Sequence, residues 1–181
     1  MASEIQVSGH KAMRPPAQIL IIRHGEKPGD PCDDSKADDI GLSTRGYERA
    51  AALAFNIPVT FGKIDYLFAT KNSTHSHRPV ETITPLHKAL KLKINHDFND
   101  DDFKGIADHI LGNPKYSGAR ILICWHHGKI PQLAAALLVA DPPSPWPDEV
   151  FDRVWIIDYE AGGSGVLRNV PQKLLYGDSD S

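Results

Sequence analysis

The chain has 181 residues, of which 41% are hydrophobic and 24% charged, with a formal net charge of −3. This composition is typical of a globular protein and excludes a disordered one, and the length allows one domain with a core of its own. The negative net charge argues against broad electrostatic binding of nucleic acid, and no run approaches 18 consecutive apolar residues, so no membrane partner is expected either.

The first part of the chain predicts a leader, a strand, a loop and a helix. Residues 1–16 show no periodicity and are expected to form a flexible leader. The apolar run 17–23 predicts a strand, and segment 26–40, rich in Pro, Gly and Asp, predicts a loop. A helix follows, which we expect to begin at a cap supplied by Ser43 or Thr44 and to end before Pro58.

The middle of the chain continues to alternate between strands and helices. Residues 64–69 predict a second strand, 79–90 a second helix with proline in its first turn, and 91–95 a short third strand. An exposed acidic loop is expected at 96–104, and a helix at 103–111.

The last part predicts a strand at 119–125 and an alanine- and leucine-rich helix at 130–139. The prolines of 142–147 exclude a helix or a central strand there and predict a rigid loop. Two further strands, 153–159 and 165–170, flank a turn sequence and predict a hairpin.

Together these elements predict an α/β fold of three layers. The central sheet is expected to be mostly parallel, with helices on both faces and an antiparallel hairpin at one edge. We expect residues 17–181 to form this single domain. The two cysteines, Cys32 and Cys124, form no C-x-x-C pair, so a zinc site or a thioredoxin-like redox role is not supported. We predict a cytoplasmic location.

Reactive side chains follow three of the predicted strands. Arg23-His24 ends the first, His75 to Arg78 comes after the second, and His126-His127 follows the strand at 119–125. Ligand sites of α/β proteins lie at the carboxyl ends of the strands, so these groups are expected to meet. Arginine offers a fixed fork of donors for phosphate or carboxylate, and a neutral histidine can attack phosphorus. The pattern therefore predicts a phosphoryl-transfer site.

These motifs resemble those of the histidine phosphatase superfamily, in its branch related to the phosphoglycerate mutases. Arg23-His24-Gly25 matches the signature at the first strand end, and Leu42-Ser43-Thr44-Arg45-Gly46 matches a Leu-Ser/Thr-x-x-Gly helix opening. Arg78 with Glu81-Thr82 matches the second-arginine segment, and 121–128 matches the last motif. The second-arginine loop departs from the usual form, being longer and richer in histidine.

The resemblance implies that His24 is the phosphorylated nucleophile and that Arg23, Arg78 and a second histidine hold the phosphoryl group. Counting back from Ile130 selects His126 as this second histidine. Relatives that share Trp125 and the following Ile-Pro select His127, and His127 is our prediction, with His126 as the alternative.

The general acid is less clearly marked in the sequence. The resemblance implies a carboxylate after the second helix, where only His96, Asp97, Asp100, Asp101 and Asp102 are available. Asp97 is the first candidate. Glu26 is close to the nucleophile in sequence and is a further candidate, either in the site or as an ion-pair partner that orients Arg23.

We therefore predict a phosphomonoester hydrolase that acts through a phosphohistidine intermediate on a phosphorylated small molecule or protein, without metal or organic cofactor. Two alternatives stay open: an inactive phosphate-binding relative, and a metal-dependent hydrolase. The resemblance also allows mutase activity, which is less expected because the short chain has little room for the inserts that enclose the substrate in the mutases. The chain has nine histidines, but it lacks His-Glu-x-x-His, and His75-x-His77 is weak support for a metal centre. The sequence leaves the oligomeric state open.

Overall fold

The computed structural model describes residues 14–29 and 40–179. The predicted leader therefore lies outside the described residues except for its last three, and so do Cys32 and much of the loop predicted at 26–40. Within the described ranges, no helix is both long enough and apolar enough to cross a membrane.

Six strands form one mixed sheet with the order β3-β2-β4-β1-β5-β6. Strands β1 to β4 are parallel, whereas β5 runs antiparallel to β1, and β6 antiparallel to β5 at the edge. The mostly parallel sheet and the edge hairpin are confirmed. The strands are β1 Gln18–Arg23, β2 Tyr66–Ala69, β3 Ile94–Asn95, β4 Arg120–Trp125, β5 Arg153–Tyr159 and β6 Gly165–Pro171.

Four helices cover the two faces of the sheet: α1 Thr44–Phe61, α2 Arg78–Leu90, α3 Phe103–Leu111 and α4 Ile130–Ala136. Side chains alternate between the faces along each strand. In β1, Leu20 and Ile22 pack with apolar residues of α1 and α2, and Ile19 and Ile21 pack with those of α3 and α4. All four are fully buried. The three-layer α/β fold is confirmed.

Two helix ends differ from the prediction. Helix α1 continues past Pro58 to Phe61, because a proline removes only one hydrogen bond of the helix and the buried Ile57 anchors the last turns against the sheet. Helix α4 ends at Ala136 instead of continuing to 139, and Leu138 beyond it has a left-handed backbone with a φ of 71°. The cap at Ser43 is confirmed, since its Oγ accepts from the N–H of Gly46 at 3.1 Å.

Candidate active site

The carboxyl ends of β1 and β4 bring two histidines together. The two strands pair in parallel, with Arg23 opposite Trp125, and the N–H of His24 donates to the carbonyl of Trp125 at 3.2 Å. The residues that follow are therefore held side by side. The ring of His24 lies edge-on to that of His126, with 5.1 Å between the ring centroids.

His24 is buried, and its ring is oriented by the backbone of its own loop. Its Nδ1 lies 2.7 Å from the carbonyl oxygen of Gly25. A carbonyl only accepts, so Nδ1 carries the proton of the neutral ring and Nε2 keeps its lone pair. Burial lowers the pKa of His24 well below its ordinary value, and the nearby His126, Arg23 and Arg78 lower it further. At neutral pH the ring is uncharged.

Arg23 is buried and fixed by the loop before β5. Its guanidinium carbon lies 3.6 Å from the centroid of the Phe151 ring, a cation–π contact. Its Nη1 donates to the carbonyl of Asp148, and the carbonyls of Pro147 and Val150 lie at 3.5 and 3.2 Å. This cradle fixes the guanidinium, whose charge acts on both His24 and His126.

Helix α2 contributes the second arginine and a bridge to residues 24–26, which carry the predicted nucleophile His24 and are called the nucleophile loop below. The charge of Arg78 lowers the pKa values of both His24 and His126, so it acts on both rings. The hydroxyl of Thr82 donates to the carbonyl of Arg78 at 2.7 Å and accepts from the N–H of Gly25 at 2.8 Å. Thr82 therefore ties the two segments together. The sequence analysis used it only as part of a motif.

The ring beside that of His24 belongs to His126 and not to His127. Burial lowers the pKa of His126 to about 4, with further lowering by Arg78, His127 and Arg23. His127 lies nearer the rim, where its Nε2 is 2.9 Å from Oδ1 of the exposed Asp148. His126 has an extended backbone and His127 begins a 3-10 turn, so the chain changes direction between the two residues.

Two arginines of α1 bind the side chain of Glu26, and the backbone of α1 at Gly46 lies in close contact with the backbone of Gly25 and Glu26. Its carboxylate binds Arg49, with 2.7 Å between Oε1 and Nη2, and Arg45, with 3.2 Å between Oε1 and Nε. A Cβ atom on Gly46 would lie 3.1 Å from the N atom of Glu26 and closer still to its carbonyl oxygen. A Cβ on Gly25 would lie 3.0 Å from the carbonyl oxygen of Gly46. Only glycines allow this approach.

Two carboxylates of the acidic loop, those of Asp97 and Asp100, lie in different surroundings. Asp97 lines a groove of about 450 Å³ beside β3 together with Tyr66 and Lys93, and its role as the acid stays a prediction. Asp100 lies at the end of β4, where its carbonyl accepts from Nε1 of Trp125 at 3.2 Å. Burial, and secondarily Asp101, raise the pKa of Asp100 to about 6, although Lys129 opposes this.

The remaining loop histidines do not form a ligand set. His75 is exposed, and the backbone N–H of His77 donates to the carbonyl of Ile40 just before α2 begins. Among residues 14–29 and 40–179, no group of three or more His, Cys, Asp or Glu side chains is arranged to hold a metal ion.

No protein-family model matches this chain, and no curated protein matches it. Solved structures do match. The protein histidine phosphatase SixA complexed with tungstate has a TM-score of 0.61 at 17% identity, over 86% of this chain and 97% of that chain. The phosphoserine phosphatase of Entamoeba histolytica, in complex with 3-phosphoglyceric acid, has a TM-score of 0.60 at 16% identity, over 87% and 99% of the two chains.

A third structure, the phosphoglycerate mutase of Bacillus anthracis, has a TM-score of 0.58 at 16% identity, over 87% of this chain and 94% of that chain. The chain therefore has the fold of the histidine phosphatase superfamily, in its phosphoglycerate mutase-like form. The resemblance inferred from the motifs is confirmed at the level of the fold.

Proposed function

We propose that this protein is a metal-independent phosphomonoester hydrolase that works through a phosphohistidine at His24. The observation that carries the proposal is the state of this ring: buried, neutral, with Nδ1 directed at the Gly25 carbonyl and Nε2 available to attack. The fixed charges of Arg23 and Arg78 act on the same ring. Cations fixed around a neutral nucleophile are what transfer of a phosphoryl group requires.

In the first step, Nε2 of His24 attacks phosphorus in line with the bond to the leaving oxygen. The P–N bond forms as the P–O bond breaks, and Arg23, Arg78 and His126 stabilise the charge on the equatorial oxygens. We assign the holding role to His126 because its ring lies beside that of His24, whereas His127 is paired with Asp148 at the rim.

Asp100 is our candidate for the group that protonates the leaving oxygen. One of its carboxylate oxygens, Oδ1, is buried and makes no hydrogen bond within the described residues. Its pKa of about 6 keeps roughly a tenth of the carboxyl protonated at pH 7, far more than at an ordinary aspartate, which suits a general acid. In the second step the same carboxylate takes a proton from the attacking water, the P–N bond breaks, and phosphate and His24 are released.

The proposed substrate class is a phosphorylated small molecule or protein. Structures with this fold include a protein histidine phosphatase, a phosphoserine phosphatase and the mycobacterial glucosyl-3-phosphoglycerate phosphatase. Because phosphatases named for such different phosphorylated compounds share one fold, the fold does not select among these compounds.

The test is hydrolysis of an aryl phosphate in the presence of a chelator by the wild type, His24→Ala and, as a control, His96→Ala in the exposed acidic loop. We expect the wild type and the control to remain active with chelator and His24→Ala to lose about a thousandfold or more in kcat. Quenched wild-type enzyme should carry a phosphoryl label that is stable to alkali and labile to acid. Activity abolished by the chelator would instead favour a metal-dependent hydrolase. Phosphate binding without turnover would favour an inactive relative.

A further inference from the structure

Four charged side chains from three parts of the chain meet behind the nucleophile loop. Glu26 comes from the loop, Arg45 and Arg49 from α1, and Asp178 from segment 172–179. Arg49 lies between the two carboxylates. Its Nη2 is 2.7 Å from an oxygen of Glu26 and also 2.7 Å from an oxygen of Asp178. The two positive and two negative charges balance.

Arg49 uses both edges of its guanidinium in this network. One edge, Nε and Nη2, binds Glu26, while the other, Nη1 and Nη2, binds both oxygens of Asp178 at 3.0 and 2.7 Å. The side chains of Glu26, Arg49 and Asp178 are 4%, 2% and 3% exposed. A planar, two-edged donor is specific to arginine, so lysine could not replace it.

The backbone of segment 172–179 is wrapped around the Asp178 carboxylate. Its Oδ2 accepts from the N–H groups of Leu174 and Leu175, at 2.9 and 3.1 Å. Gln172 adds a hydrogen bond from Nη1 of Arg49 to its Oε1 at 3.0 Å. The carboxylate is thus fixed from both sides.

A displacement of Glu26 would move the peptide that joins Gly25 to Glu26, and with it the carbonyl that holds the His24 ring. Glu26 follows Gly25 directly, and the Gly25 carbonyl is the group that accepts from Nδ1 of His24. The carbonyl of Glu26 accepts from the N–H of Ser43 at 2.9 Å, and Gly46 packs against the same peptide. The orientation of the His24 ring therefore depends on where α1 holds Glu26.

We propose that Asp178 is a positioning residue for the nucleophile. By fixing Arg49 it fixes Glu26, which in turn fixes the Gly25 carbonyl that leaves Nε2 of His24 unprotonated and directed at the substrate. The activity part of this inference rests on the function proposed above, whereas its structural part concerns the His24 ring alone.

The direct test measures the tautomer of His24 by long-range ¹H–¹⁵N NMR on protein labelled at histidine nitrogens. We expect the wild type to show Nδ1 protonated and Nε2 bare, and Asp178→Asn to show a mixture with the second tautomer. The matched control is Asp158→Asn on β5, which removes a carboxylate bound by Gln18 of β1 and Arg168 of β6. Wild-type ¹⁵N shifts for His24 in folded Asp178→Asn protein would overturn the proposal.

Kinetics supply the second arm of the test. Asp178→Asn should lower kcat by about tenfold or more, because small misplacements of a reacting group are costly, while KM changes by less than about twofold. The reason for the split is that Arg23 and Arg78 still hold the phosphate. A rise in KM with kcat unchanged would contradict a positioning role.

A second variant covers the case in which Asp178→Asn does not fold. Arg49→Lys keeps the positive charge but removes the second edge of donors that joins Asp178 to Glu26. The same changes in His24 tautomer and kcat are expected, and their absence in folded Arg49→Lys protein would overturn the proposal. If the wild type has no phosphatase activity, the proposed function fails, and the NMR arm still decides this inference.

Discussion

At the scale of single residues, the charge of the two histidines at the strand ends is controlled by their surroundings. His24 and His126 are buried beside Arg23 and Arg78, and burial together with positive charge favours the neutral ring. The pKa of Asp100 is shifted in the opposite direction and is raised to about 6. Environments that separate a base from an acid in this manner are typical of acid–base catalysis at neutral pH.

With the roles proposed above for His24 and Asp100, these pKa shifts predict the pH dependence of kcat/KM for an alkyl phosphate. His24 must be unprotonated, so the rate should fall only well below pH 6.5 as its Nε2 gains a proton. Asp100 must be protonated, so the rate should fall as the pH rises through about 6. In Asp100→Asn we expect a lower rate without this alkaline limb.

Two comparisons isolate the contribution of Asp100 to that limb. The substrate phosphate itself ionises near pH ~6, but it does so equally in the wild type and the variant. The control Asp101→Asn removes an exposed neighbour bound by Lys129, and it should keep the limb and move it to lower pH, since Asp101 raises the pKa of Asp100. An unchanged alkaline limb in Asp100→Asn would exclude Asp100 as the acid.

The two adjacent histidines give a second prediction at this scale. His126→Ala should reduce kcat by about a hundredfold, because it removes a donor beside the transferred phosphoryl group. His127→Ala should reduce kcat by less than about tenfold, because its Nε2 is engaged by the exposed Asp148 and such pairs contribute little. Steady-state kinetics on an aryl phosphate compares them, and the reverse ranking would return the phosphoryl-binding role to His127.

Sequence patterns located Arg23, His24 and Arg78 because strand ends of a parallel sheet can be recognised along the chain. They favoured His127 over His126, whereas the ring beside His24 is that of His126, since this choice depends on how the backbone turns after Trp125. The ion-pair partners of Glu26 could not be predicted from the sequence, for another reason. Asp178 is more than 150 residues away in the sequence, and no local pattern marks a carboxylate that meets an arginine of α1.

At the scale of elements, the first turn of α1 is built around the nucleophile loop. Alanine at Gly46 would favour the helix by up to about 1 kcal/mol in an open position. Here its Cβ would press against the peptide of Glu26, so we expect Gly46→Ala to destabilise the protein by about 1–3 kcal/mol and to lower kcat.

Urea unfolding and kinetics on folded protein measure the two effects. The matched control is Gly162→Ala in the hairpin turn, where a Cβ would meet no atom within 4 Å. The control should stay within about 0.5 kcal/mol of the wild type. Wild-type stability in Gly46→Ala would show that the loop can move away from α1.

Element boundaries were less predictable than element types. Proline ends many helices, yet α1 runs through Pro58 because Ile57 is buried against the sheet. Helix α4 stops early although its sequence favours continuation, since the chain turns at Leu138 and Val139 to meet Gly165. In both cases packing between distant segments decides the end, and propensity along the chain does not contain that information.

At the scale of the whole molecule, the alternation of strands and helices was sufficient to predict the layers and the edge hairpin. What it could not predict is that segment 172–179 returns to the nucleophile loop and closes the charge network on Arg49. Through this network, Arg49 of α1 binds both the nucleophile loop and segment 172–179. A global property, the dependence of stability on pH, should therefore report on it.

Burial opposes the charge of Asp178, but its hydrogen bonds from Arg49, Leu174 and Leu175 outweigh burial and hold its pKa below the ordinary value. A carboxylate with a lowered folded-state pKa contributes stability above its unfolded pKa of about 3.9, and that contribution is lost as the pH falls through the folded-state pKa. At pH 7, Asp178→Asn should thus lower the free energy of unfolding by on the order of 3 kcal/mol, since it leaves buried arginine charge uncompensated.

Urea titrations from neutral pH to below pH ~3 test this. The gap in free energy of unfolding between the wild type and Asp178→Asn should narrow as the carboxylate of the wild type becomes protonated. Asp158→Asn is the matched control: Asp158 is 41% exposed in its pair with Arg168, and its removal should cost within about 1 kcal/mol at pH 7. A gap for Asp178→Asn that does not change with pH would mean that shape, and not charge, holds segment 172–179 against α1. The charge network would then be a consequence of the docking of that segment and not its cause.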